Sequence, residues 1–257
     1  MVRDYAMMNK KYHIILHLSF LIICALSNVD AQQIKLIDED VKINDDGSAN
    51  IKLQLDVKIE NASSMIKIPS LQGNPIAINS QLDNNLSDLV INQKNDENYS
   101  YFEIYNQLPI GEHSIVMEYV LPKFMDWEVA GPGEFLAYEF GIKLDNPFPT
   151  QIDTFNLTIS LPKGWNYHKI IDSNPIFRDK DPQPPYKLFN TDDGRAYANI
   201  SRTDMKFKDS IGLTFLFKST SKSIFIIIVA VILAVLYMIF FRDLIINNKN
   251  DIDENKE

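Results

Sequence analysis

"ANIKLQLDVKIE", residues 49–60, alternates without a break. Ile51, Leu53, Leu55, Val57 and Ile59 are separated by Lys52, Gln54, Asp56, Lys58 and Glu60. A period of two places the apolar set on one face and the polar set on the other, which is the pattern of a half-buried β-strand. The preceding "VKINDDGS", residues 41–48, ends in Asp46-Gly47, a pair suited to the positive φ of a tight hairpin turn. Residues 34–43 and 49–60 are therefore predicted to pair antiparallel.

Outward from this hairpin the strand pattern continues. Tyr101–Tyr105 and Ser114–Val120 flank the turn residues "NQLPIGEH". Leu136–Leu144 reads as a strand. In "TFNLTISL", residues 154–161, Phe155, Leu157, Ile159 and Leu161 face one way, and Asn156 faces solvent. "YKLFNTDDGRAYANI", residues 186–200, repeats the D-D-G turn. The likeness of the two turns is convergent turn chemistry rather than a duplicated domain. Ile211, Leu213, Phe215 and Phe217 form the last strand. All 12 prolines lie between Pro69 and Pro185. Short strands divided by turns predict an all-β region of one or two antiparallel, Ig-like β-sandwiches. The Gly- and Pro-rich "PKFMDWEVAGPGEF" interrupts the pattern. The division that follows is a sandwich over 32–121, a connector over 122–134 and a second sandwich over 135–220. One continuous sandwich is the alternative.

The stretch 41–59 resembles the start of an uncharacterised family of membrane-anchored extracytoplasmic proteins. There a strand, a D-G-S turn and a second strand open a β domain. The resemblance covers no functional motif and assigns no residue a role.

Two apolar runs frame the β region. Ile224–Phe241 carries no charge. Its 18 residues would span about 27 Å as a helix, close to a bilayer's hydrocarbon thickness. This predicts one C-terminal transmembrane helix over 223–241, in contact with membrane lipid, and a short cytoplasmic tail over 242–257. Arg3, Lys10 and Lys11 precede the apolar run Ile14–Leu26, and Ala31 offers a small residue for cleavage, so 1–31 reads as a signal peptide or signal anchor. Its basic end sets the orientation. The expected location is the cell membrane, single-pass, with 32–222 outside.

The chain is acidic, with a net charge of −9, which argues against nucleic acid as a partner. Its single cysteine, Cys24, lies in the N-terminal run, so the β region has no disulfide to rely on. Five N-x-[ST] sequons, at Asn61, Asn85, Asn98, Asn156 and Asn199, all fall between the apolar runs and are candidate glycosylation sites. Absent disulfides and frequent sequons together suggest an archaeal-like cell surface.

Chemistry is sparse. His113 and His168 are the only histidines beyond the N-terminal run, and no G-x-S-x-G occurs. A nucleophile–base pair and a soft metal site both lack their parts, so no catalytic residue, metal or cofactor is assigned. The D-D-G turns fail the spacing of an EF-hand loop. A looser calcium site from Asp38, Glu39 and Asp40 is the remaining metal reading, beside the plainer one of a solvated acidic loop. Asp126, Glu128 and Glu134 beside Trp127 give the best glycosidase reading. The same loop is a better candidate for protein contact through Phe124, Trp127 and Phe135, large apolar side chains in a connector. The function expected is a non-enzymatic, membrane-anchored surface protein whose β-sandwich serves as a binding or accessory-subunit module. The alternatives are a carbohydrate-active ectoenzyme and a passive envelope component.

Overall fold

The computed structural model describes residues 32–220 apart from 61–62, 84, 87–88, 97–98, 126–136 and 177–182, together with 225–239 and 241. The described chain is mostly β. In order its strands are β1 (Gln32–Ile43), β2 (Ala49–Ile59), β3 (Ser63–Ser70), β4 (Ile76–Leu82), β5 (Asn85–Leu86), β6 (Val90–Asn95) and β7 (Ser100–Leu108). They continue as β8 (Gly111–Leu121), β9 (Ala137–Asp145), β10 (Ile152–Ser160), β11 (Trp165–Asn174), β12 (Tyr186–Asn190), β13 (Ala196–Met205) and β14 (Ser210–Ser219).

The alternation in β2 does what its period requires. Ile51, Leu53, Leu55, Val57 and Ile59 are all buried, and β1 sends Ile37, Val41 and Ile43 to the same side. The two strands pair antiparallel from Gln32↔Ile59 to Ile43↔Ala49. At the turn between them, Gly47 has φ 81° and its amide donates to the Asn44 carbonyl at 3.1 Å. The Ser48 amide and hydroxyl both donate to Asp46 Oδ1, at 3.0 and 2.6 Å. The second D-D-G turn is built alike: Gly194 has φ 78°, the Arg195 amide donates to Asp193 Oδ1 at 3.0 Å, and β12 pairs antiparallel with β13.

The sandwich prediction is corrected by the pairing. The main layer is one eight-stranded mixed sheet in the order β12-β13-β10-β1-β2-β8-β4-β5. It contains a parallel pair, β1 with β10, from Ile34↔Ile152 to Lys42↔Ser160. Strands from both sides of residues 122–134 thus share this sheet. Two three-stranded sheets, β3-β7-β6 and β11-β14-β9, complete the fold. The first joins the large sheet's core through Phe102, whose ring meets Tyr119 edge-on at 5.2 Å. The second joins it through Tyr167, whose hydroxyl donates to the Ile159 carbonyl at 2.8 Å. In β14, Ile211, Leu213, Phe215, Leu216 and Phe217 are all buried, so both faces are covered, as its near-continuous apolar sequence requires.

The transmembrane prediction is also corrected. The described helical stretch of the C-terminal run covers 225–239. No helix among the described residues is long and apolar enough to cross a membrane. The single-pass topology, with 32–222 outside and the C-terminus cytoplasmic, loses the element on which it rested. The N-terminal run 1–31 and the tail 242–257 lie outside the described residues.

Candidate functional site

The polar residues of β2 stand on the large sheet's other face. There a cleft of about 350 Å³ crosses β1, β2, β8 and β4. Its charged and amide lining is Asp40, Lys42, Asn50, Lys52, Asn79 and Glu118. The register explains the grouping. Thr158, Asp40, Lys52, Glu118 and Asn79 are successive partners on five neighbouring strands, so they form one row across the sheet. Lys42, Asn50 and Val120 make the next row along. β4 closes the cleft irregularly: its register against β8 shifts between Ile76 and Asn79, and Ala77 sits at φ 53°.

Charge alternates along the row. Lys52 Nζ lies 3.6 Å from Glu118 Oε1, with both side chains largely exposed. Asp40 faces Lys52 from the other side. Its pKa is raised, first by partial burial and then by the charge of Asp38, against the opposing pull of Lys42 and Lys52. Asp38 is raised as well, by burial and by Asp56. The arrangement offers two cations, two anions and two amides to a ligand. It suits an extended polar segment, whose backbone and charged groups could each find a complement.

Glu39 does not belong with its neighbours. The strand's alternation turns Asp38 and Asp40 to the open face and Glu39 into the core, where it is fully buried. The three carboxylates cannot converge on one calcium ion, which corrects that reading. No group of three His, Cys, Asp or Glu among the described residues could hold a metal.

The connector residues separate into two sets. Phe124 is partly buried against the core, with its ring edge-on to Phe140 at 5.2 Å. The amides of Phe124 and Met125 both donate to the Gly47 carbonyl, at 3.1 and 2.9 Å, binding this segment to the first D-D-G turn. Asp126, Trp127, Glu128, Glu134 and Phe135 lie outside the described residues. Of the sequons, Asn61 and Asn98 also lie outside them, and Asn85 is in β5. Asn156 and Asn199 meet on adjacent strands. Ser201 of one sequon donates its hydroxyl to Asn156 Oδ1 at 2.7 Å, and Asn199 Nδ2 donates to Thr158 Oγ1 of the other at 2.9 Å.

His113 is held from both sides, with Nδ1 2.9 Å from Asp83 Oδ2 and Nε2 2.9 Å from the Pro109 carbonyl. Burial pulls its pKa down, but the Asp83 and Pro109 bonds prevail and raise it above 6.5. His168 Nε2 lies 3.2 Å from Lys218 Nζ. Neither histidine reaches the cleft.

No family model matches the chain, and no curated protein does. Solved structures do resemble it. An M1 zinc metallopeptidase from Deinococcus radiodurans, bound to a Tyr-Ser-Ala substrate, is 11% identical with a TM-score of 0.40 over 74% of this chain and 43% of its own. Leukotriene A4 hydrolase from Saccharomyces cerevisiae is 11% identical with a TM-score of 0.38, over 74% of this chain and 30% of its own. The chain thus spans less than half the length of either. These neighbours are enzymes, so the expectation of a non-enzymatic protein is corrected to the extent that it finds no support among them. At this distance the likeness transfers no residue, metal or activity. The membrane and cell-surface expectations lose their support with the finding that no helix among the described residues is long and apolar enough to cross a membrane.

Proposed function

We propose that this chain is a binding module that takes an extended, polar segment of a partner protein across the open face of its large sheet. The observation that carries the reading is the cleft over β1, β2, β8 and β4, with Asp40, Lys52 and Glu118 alternating in one cross-strand row. A sheet fixes the spacing of such a row, because the backbones of Asp40, Lys52 and Glu118 are each paired on both sides. The row therefore reads charge order along a ligand. Exposed pairs such as Lys52–Glu118 contribute little to folding, usually below about 1 kcal/mol. Their alternation is thus free to serve recognition.

The test uses the full chain with a photo-crosslinking residue at Asn50, and a second at Thr203 as a control on the same sheet. Crosslinks from position 50 that identify one partner and vanish on Lys52→Glu, with the unfolding midpoint unchanged, are the expected result. Equal crosslinking from both positions, or indifference to the charge reversal, would sink the reading.

A further inference from the structure

Glu39 occupies a position that the alternation of β1 reserves for an apolar side chain. It lies between Leu53 of β2 and Leu157 of β10 in the sheet register, and both of these leucines are fully buried. Its Oε1 accepts the Tyr119 hydroxyl at 3.0 Å, and its Oε2 has no hydrogen-bond partner among the described residues. Tyr119 in turn packs edge-on against Phe102 of β7. The carboxyl is therefore tied to the ring that joins the large sheet to β3-β7-β6.

A neutral carboxyl with one hydrogen bond is tolerable in such a place. An ionised one, with no cation in reach, is far more costly to bury. Among the described residues no cation is in reach. On β1, Asp38 and Asp40 point to the opposite face, as do Lys52 on β2, Asn156 and Thr158 on β10, and Glu118 on β8. In the facing sheet Lys67 and Glu103 pair with each other away from the core. From the third sheet, Tyr167 gives its hydroxyl to Ile159. Among the described residues only Tyr119 acts on Glu39 electrostatically.

We propose that Glu39 is a pH-sensitive element beneath the seam between the eight-stranded sheet and β3-β7-β6: neutral, it stays dry in the core on its bond to Tyr119, and ionised, it draws water into the core and loosens the seam, even though the Tyr119 bond itself favours the ionised form. Burial raises the Glu39 pKa from 4.5 to about 7, with the Tyr119 bond opposing the rise. The native state therefore holds a proton that the unfolded chain gives up near pH 4.5. Stability from this group is greatest at or below that pH, falls as pH rises toward about 7, and is level above it. The unfolding constant should rise on the order of a hundredfold across this window.

The experiment is urea unfolding of the full chain from pH 4.5 to 8, with hydrogen exchange, corrected for intrinsic rates, on the same samples. The expected result is a loss of stability across the window, with protection lost first at Phe102–Ile104 and at Tyr119 rather than at the D-D-G turns. Glu39→Gln should flatten the slope except for the parts that belong to His113, Asp38 and Asp40. Tyr119→Phe should move the window to higher pH. Seam protection that does not change with pH in the unaltered protein overturns the proposal without any variant. A Glu39→Gln slope equal to that of the unaltered chain does the same.

Discussion

A methyl group on Gly212 would stand 2.3 Å from the Ile142 carbonyl oxygen, on the neighbouring strand β9. Backbone cannot retreat there without breaking the β9–β14 ladder, so Gly212→Ala should cost upward of ~3 kcal/mol. Gly194→Ala is the contrast. Nothing lies within 4 Å of its added Cβ, and only the φ of +78° is strained, so about 1 kcal/mol is expected. Paired urea midpoints check both. His113 gives a second residue-level prediction. Its raised pKa means its stabilisation is complete below about 6.5 and is lost as pH rises through the folded-state value. His113→Gln should remove that component, read as a flatter pH dependence of the midpoint. The burial of Glu39 was legible in the parity of Ile37, Glu39, Val41 and Ile43. Reading residues 38–40 as an acidic cluster hid it, because three adjacent carboxylates suggest one site while a strand sends them to two faces.

At the scale of elements, strands joined by a tight turn are readable and strands brought together from afar are not. The D-D-G turns announce β1–β2 and β12–β13, since glycine at positive φ and an aspartate accepting backbone amides are local requirements. β7 and β8 are also separated by a short turn, Pro109-Ile110, yet they lie in different sheets. The chain changes layer at Gly111, whose φ of 147° suits glycine. The parallel pairing of β1 with β10 has no local signal at all. One side chain marks it in space: Arg195 Nη1 donates to the carbonyls of both Ile43 and Leu161, at 3.0 and 3.1 Å, at the ends of the two strands. Arg195→Met keeps much of the stem and removes both bonds. It should cost about 2 kcal/mol, given the usual 1.5–3 for hydrogen bonds to a charged group, measured by chemical denaturation. The cleft divides in the same way. Asn50 and Lys52 are visible as wet positions of an alternating strand, while their meeting with Glu118 and Asn79 depends on non-local register.

For the whole molecule, one apolar core runs through all three sheets, from Ile34 to Phe217. Strands from both ends of the β region share its central sheet, so unfolding of the β body should be a single calorimetric transition, with calorimetric and van't Hoff enthalpies equal. Two resolved transitions would mean that residues 32–121 and 135–220 fold separately. The helix over 225–239 has every described side chain exposed, so it adds little to this core. Ending the chain at Thr220 should leave the melting temperature of the β body within ~2 °C, because exposed positions rarely move stability by more than about 0.5 kcal/mol. It should also remove most of the binding of a hydrophobic dye.

Alternation, turn chemistry and apolar runs are short-range properties, set by the covalent chain and by which side chains water rejects. They made the β character, the two D-D-G hairpins and the wet and dry faces of β2 readable in advance. Sheet order, the parallel β1–β10 pair, the company that buries Glu39 and the row that lines the cleft belong to the folded chain. Each joins residues tens of positions or more apart, and many alternative pairings satisfy the same local pattern. Only the simultaneous packing of one shared core selects among them.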